Sequence, residues 1–457
     1  MRLVGNAGHF AAATYPSAWS GASVSEHGLH YPFMWSASEQ RVLTFGDVPA
    51  PTAMWERLAG AGVTCAVVDA YESWRPAAID GVFVRGWQFR NRVVLRPCVV
   101  PESAVDRWRR LGQRAPRAEE VFGRPSERRL RRLAAVLTAA PARLADLVVD
   151  VVRDGAPDVL VCCLSAVHLA GHQFLDPSVV APELEARVAD ELQASLRTVY
   201  VEADRALGRI LDALPADADV IVFSGLDMGP DTSRTDMLAP LLDLVLGRRT
   251  ASTTSASGWR TRSLVPASLR AAVADRLPDR VAIDLAARLE LRGVDWTTTR
   301  AFAVPSDTTG FVRLNVRGRE RDGIVDPADV PALVEEIRAG LVTFELRSGA
   351  PAVEAVDATA DVVPAGPAVD ALPDLVVRWS HEPTRHDERL VSPDFGLVRR
   401  SGWGSGRSGN HRSDGWALIV PGRAALGIRD GEREVTDLAA TALARFGLGH
   451  RGAPLLA

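Results

Sequence analysis

The sequence predicts an α/β fold: a mostly parallel sheet sandwiched by helices, with a smaller antiparallel subdomain inserted before its last strand. Three observations predict it. Short, uninterrupted apolar runs alternate with longer segments of helical period, the pattern of a parallel sheet covered on both faces. A later stretch changes to period two, as half-buried antiparallel strands do. The chain has 457 residues, more than one standard core, so it calls for one large domain with a sizeable insertion or for two domains.

Fully buried parallel strands are predicted at 63–68 (Val-Thr-Cys-Ala-Val-Val), 159–164 (Val-Leu-Val-Cys-Cys-Leu), 220–223 (Val-Ile-Val-Phe) and 416–420 (Trp-Ala-Leu-Ile-Val). Between them, 127–152 and 182–214 carry apolar residues at helical spacing. Residues 311–316 (Phe-Val-Arg-Leu-Asn-Val) alternate, and 375–379 (Leu-Val-Val-Arg-Trp) is a further strand. These divide the chain into a core, 1–300 with 401–457, and an inserted α+β subdomain, 301–400. The polar run 248–258 reads as a loop.

Composition excludes several classes. Hydrophobic residues make up 47% and charged residues 24%, ordinary for a globular chain. Every one of the 53 basic residues is arginine, which points to base composition rather than function. A net charge of −4 gives no reason to expect nucleic-acid binding. Four cysteines are too few for a disulfide framework, and Cys162 and Cys163, adjacent on one strand, point to opposite faces. No apolar stretch approaches the roughly 20 residues of a membrane span, and residues 1–30 lack a basic start followed by an apolar core. The expectation is a cytoplasmic protein with no membrane contact.

The candidate chemistry lies in histidines. His168 and His172 stand four apart just after the 159–164 strand, and His411 follows far downstream in Gly409-Asn410-His411-Arg412-Ser413-Asp414-Gly415. Neutral imidazole is the commonest biological metal ligand, and three of them leave zinc an open position. Two histidines at this spacing also arise by chance. Gly404-Ser-Gly406-Arg-Ser-Gly409 matches a dinucleotide fingerprint by letter but opens no βαβ unit, so a loop leading to His411 is the better reading. Arg128, Arg129, Arg131 and Arg132 read as a solvated helix face. Asp69-Ala-Tyr71-Glu72 closes a strand, where sites gather but carboxylates often cap the next element. His381 and His386 read as solvated.

At these residues the chain resembles a known family. His168-x3-His172, the strand end Phe223-Ser224-Gly225-Leu226-Asp227-Met228-Gly229-Pro230 and Gly409-Asn-His411-Arg-x-Asp-Gly415 are similar in order and spacing to the alkaline phosphatase superfamily. Within it the chain most resembles the type I phosphodiesterase/nucleotide pyrophosphatase branch. Trp19-Ser-Gly21, Glu26-His27-Gly28, Leu372-Pro-Asp-Leu-Val376 and Val435-Thr-Asp-Leu-Ala-Ala-Thr441 match as well.

The resemblance implies two zinc-type ions flanking a Thr or Ser nucleophile that attacks phosphorus. It carries one metal onto His168, which replaces the family's Asp, and onto His172 and His411. The second metal is degenerate. The family's Asp-His pair falls on Gly225 and Leu226, which offer no donor, so Asp227 is the remaining candidate. The family's first-strand Asp has no counterpart here, and residues 1–13 are expected to be the helix and loop that follow that strand. Losing a central strand would leave buried backbone groups unpaired at roughly 1–3 kcal/mol each, so a preceding segment, a partner or a rearranged strand is expected to fill its place. Thr14 is the first candidate nucleophile and Ser17 the second. The function implied is a metal-dependent hydrolase of a phosphate, sulfate or phosphonate ester or a pyrophosphate bond, with one zinc-like ion per chain and a small phosphoester-type substrate. Two alternatives stay open: a pseudoenzyme that binds a ligand or partner without turnover, and a purely structural histidine trio.

Overall fold

In a computed structural model of the chain the described residues are 1–88, 97–110, 123, 126–248, 291, 294–402, 404–422, 428 and 431–456. Apart from Arg248, the polar run 248–258 lies outside them.

The α/β class holds, with mixed sheets. In the first sheet Gly81–Arg85, Cys65–Val68 and Val159–Cys162 run parallel, and Cys98–Val100 joins antiparallel at the edge. Cys65–Val68 lies in the middle, buried at every residue, as its unbroken apolar run requires. Helices Glu127–Gly155 and Ala186–Leu211 pack on one another and on this sheet through Leu144, Leu147, Val148, Val151, Ala206 and Ile210. Arg128 and Arg132 are exposed, and Arg131 pairs with Glu127 and Glu191 at the surface.

The second sheet departs from the expected parallel order. Gly415–Val420 runs antiparallel to Val220–Ser224, in register Trp416↔Ser224 to Val420↔Val220. Beyond Ser224 the pairing resumes between Asp227–Pro230 and Gly409–Arg412. The two segments, 220–230 and 409–420, therefore form one ribbon that bends at Gly225 and Leu226. Only one face of Gly415–Val420 packs on the core, through Ala417 and Ile419, while Trp416, Leu418 and Val420 are about half exposed.

Of the helix and loop expected over 1–13, Ala7–Phe10 is helical and Ala11–Ala13 a 3-10 turn, but the first residues differ. Arg2–Val4 is a strand, antiparallel to Gly415–Val420 and parallel to Arg433–Glu434. The Met1 ammonium donates to the Ala417 carbonyl at 2.8 Å, and Leu3 is fully buried, which holds this short strand in place.

Within 301–400, strands Ala301–Val304, Gly310–Leu314, Leu375–Trp379 and Val353–Ala358 form an antiparallel sheet covered by helix Val330–Leu341. Its core also takes Met237, Leu238, Leu241, Leu242 and Val245 from helix Thr235–Val245. A buried ion pair, Arg313 with Glu320 at 2.8 Å, accepts the Trp35 indole N–H at 2.6 Å and ties this sheet to the hairpin of Phe33–Ser36 and Arg41–Thr44.

Candidate metal centre

Helix Ala166–Phe174 starts four residues after strand Val159–Cys162 ends. Ala166, Leu169, Ala170 and Phe174 pack into the helical core beside Leu130, Leu137 and Leu192. Residues three and four apart share a helix face, so His168 and His172 are left on the other side, toward strand Gly409–Arg412. Two glycines let that strand approach. A Cβ at Gly409 would lie 2.3 Å from the Gly171 carbonyl oxygen, and one at Gly171 would lie 2.9 Å from Met228 Cγ. The Ser408 N–H donates to the His172 carbonyl at 2.8 Å, locking the contact.

The three sequence-predicted histidines meet there. Their ligand nitrogens lie within 4.8 Å of one another, the one such group of His, Cys, Asp or Glu among the described residues. Ring centroids stand 4.6, 5.0 and 4.8 Å apart for 168–172, 168–411 and 172–411. His172 and His411 are buried, and His168 is partly so.

Hydrogen bonding fixes one tautomer. His172 Nδ1 lies 2.8 Å from the Gly409 carbonyl oxygen, which only accepts, so Nδ1 carries the proton. Burial first, then the Arg407 guanidinium and His168, hold the His172 pKa well below 6.5. The ring is neutral, and its Nε2 presents a lone pair. That Nε2 lies 3.1 Å from His168 Nε2, which in turn lies 3.0 Å from the Tyr71 hydroxyl. Three converging imidazoles, one of them neutral and oriented by a backbone carbonyl, are the donor set and outer support that zinc-type ions take. The residues fit such an ion.

The other predicted residues stand elsewhere. Asp227 is exposed, pairs in register with Arg412, and accepts the Met228 N–H on Oδ1 at 2.7 Å; it is not in the histidine group. Leu226 turns inward onto Ala7 and Ala11, and the next residue therefore faces out. Thr14 begins helix Thr14–Ser20, and its Oγ1 is buried with no hydrogen-bond partner. A Cβ at Gly225 would lie 2.8 Å from its methyl, so Thr14 fills the space where the resemblance places a metal-binding side chain. Tyr15 links this helix to the centre, packing on Tyr71 at 5.3 Å, which packs on His168 at 4.7 Å. Ser17 Oγ bonds His27 Nε2 at 2.9 Å.

Sequence reading gave Arg407 and Asp307 no role and named Tyr71 only within the strand end Asp69-Ala-Tyr71-Glu72. Arg407, in the Gly-rich loop, is 4% exposed and pairs with Asp307 of the 301–400 segment at 2.5 Å. Thr308 Oγ1 donates to Asn410 Oδ1 at 3.2 Å, so the same segment reaches the residue beside His411. The Asp69 carboxylate caps the backbone N–H groups of Trp87 (2.8 Å) and Gln88 (2.7 Å). Burial raises the Cys162 and Cys163 thiols to about 11 and 12, which leaves them protonated and inert.

No family model and no curated protein matches the chain. Solved structures do. Phosphonoacetate hydrolase from Sinorhizobium meliloti 1021, in complex with phosphonoformate, is 15% identical over 96% of this chain and 85% of that one, with a TM-score of 0.45. Murine ectonucleotide pyrophosphatase/phosphodiesterase 5 is 9% identical over 100% of this chain and 90% of that one, also at 0.45. The human protein of that name is 10% identical over 100% and 89%, at 0.43. Likenesses at this level of identity and superposition do not assign the chain to a family.

Proposed function

We propose that the chain is a hydrolase of phosphate, sulfate or phosphonate esters or of pyrophosphate bonds, built on one zinc-type ion held by His168, His172 and His411. The observation that carries this reading is the convergence of three imidazoles on one point, with His172 Nε2 fixed as a lone pair by the Gly409 carbonyl. A bound ion supplies Lewis-acid polarisation of an ester oxygen and lowers the pKa of water.

The chain's own residues do the rest. Arg407, buried beside Ser408, whose N–H bonds the His172 carbonyl, is paired with Asp307 and fixes the loop that borders the histidines. Asp307 holds that guanidinium and Thr308 holds the His411 strand through Asn410, and the 301–400 segment thereby borders the leaving-group side. Thr14 serves as nucleophile or as hydrogen-bond donor to the substrate, its hydroxyl being uncommitted to any protein group.

A second reading rests on that same hydroxyl. With no base bonded to Thr14 and no donor at Gly225 or Leu226, the site also suits a pseudoenzyme that binds without turnover. Metal content per chain, measured on tag-free protein purified without chelator, is the first test. About one zinc-like ion, lost in His172→Ala together with turnover of aryl phosphate, sulfate or phosphonate esters, supports the hydrolase. Turnover that survives His172→Ala sinks it, and zinc binding without turnover of any ester favours the pseudoenzyme.

A further inference from the structure

We propose that Tyr71 is the fourth protein ligand of this centre, so that its donor set is three imidazoles and one phenolate, with an ester oxygen or water entering a fifth position as zinc allows; this rests on the metal reading above. The Tyr71 hydroxyl lies 3.0 Å from His168 Nε2, and His172 Nε2 lies 3.1 Å from the same atom. In a tetrahedral zinc site with bonds near 2.0 Å, neighbouring ligand atoms stand about 3.3 Å apart. The two measured separations are close to such edges. A cation bonded to His168 Nε2 and His172 Nε2 enters beside the phenol oxygen and takes the place of its proton. The O–H bond breaks, the proton leaves to solvent, and the oxygen's electron pair makes the bond to the metal.

The backbone around Tyr71 argues for placement with a purpose. Asp69 and Glu72, neither of them glycine, adopt left-handed φ values of 53° and 51°. Such conformations cost on the order of 1–3 kcal/mol each and persist where the surroundings over-determine them. Here they do. The Asp69 carboxylate holds the Trp87 and Gln88 N–H groups, and the Trp19 indole donates to the Tyr71 carbonyl at 2.8 Å. Tyr15 and His168 both pack against the Tyr71 ring. Tyr71 is 6% exposed, so its polar end is delivered to an enclosed place and not to bulk water.

Copper(II) reports this ligand directly, because it occupies imidazole sites and gives a visible charge-transfer band with phenolate. Protein loaded with one copper per chain is expected to show that band. Tyr71→Phe is expected to bind copper with the band gone and the affinity lowered at least about tenfold. Tyr15→Phe is expected to keep the band, assigning it to Tyr71. Tyr71→His, which returns a donor without a phenol, is expected to regain affinity but no band. Copper bound at the histidines with no phenolate band in the unaltered protein overturns the proposal and leaves the metal centre standing. Copper uptake equal in the unaltered protein and in His172→Ala removes the metal centre itself, and this ligand with it.

Discussion

His27 and His30 lie inside the protein as neutral rings, and burial lowers both pKa values from 6.5 to about 4. The unfolded chain takes up these protons near pH 6.5, whereas the folded chain resists until about pH 4. Stability is therefore complete above about pH 6.5 and falls as the pH drops toward 4, by up to about 1.4 kcal/mol per pH unit for each histidine. Thermal unfolding midpoints measured across that window should decline; a flat profile would show the two rings to be exposed or charged. Ser17 depends on the same group. The Leu29 N–H donates to His27 Nδ1 at 2.9 Å, which leaves the ring proton on Nε2, facing Ser17 Oγ. A ring that donates to a hydroxyl does not take its proton. Ser17→Ala is expected to cost about 0.5–1.5 kcal/mol in chemical denaturation and to leave ester turnover in place. Thr14→Val should abolish that turnover; the opposite pattern would exchange the roles of the two residues.

The bent ribbon of 220–230 and 409–420 decides what side chain can stand at Gly225 and Leu226. At its bend Gly225 lies against the Thr14 methyl, with 2.8 Å for a Cβ where ordinary contact needs more than 3.4 Å. Gly225→Asp is therefore expected to destabilise by about 1–3 kcal/mol and to add no second ion. Removing the methyl should relieve it: Thr14→Ser with Gly225→Asp is expected to be less destabilised than Gly225→Asp alone. Equal stabilities for the single and double variants in urea denaturation would place the obstruction elsewhere.

For the whole molecule, the histidine group joins pieces distant in sequence: helix Ala166–Phe174 and the strand of His411, with the 301–400 segment attached through Asp307 and Arg407. A ligand that binds only the folded chain stabilises it by mass action. Zinc at about 100 times its dissociation constant is expected to add about 2.7 kcal/mol of stability. The shift should vanish in His172→Ala and reverse with chelator; a zinc-independent melting curve would count against a site formed by folding. Among the described residues no helix is long and apolar enough to cross a membrane.

Local pattern alone determined much of this protein. Unbroken apolar runs and periods of 2 and 3.6 residues located six of the strands and both long helices, because burial of one face acts within a few residues; the short strands with weaker patterns, such as Arg2–Val4 and Gly81–Arg85, were not read. The i, i+4 spacing put His168 and His172 on one helix face, and the Gly409-x-His411 motif singled out their partner. Strand direction was not legible, because an apolar run reads the same whether its neighbour is parallel or antiparallel; only the pairing of 409–420 with 220–230 made Gly415–Val420 antiparallel. Nor was the fate of Asp227, which depends on Leu226 turning inward onto Ala7 and Ala11. The proton on His172 Nδ1, the neutrality of His27, the approach of Tyr71 to His168 and the fit of Thr14 against Gly225 all come from groups far apart in the chain. Spacing limits what neighbours in sequence can do, but distances between distant segments exist only once the core has packed.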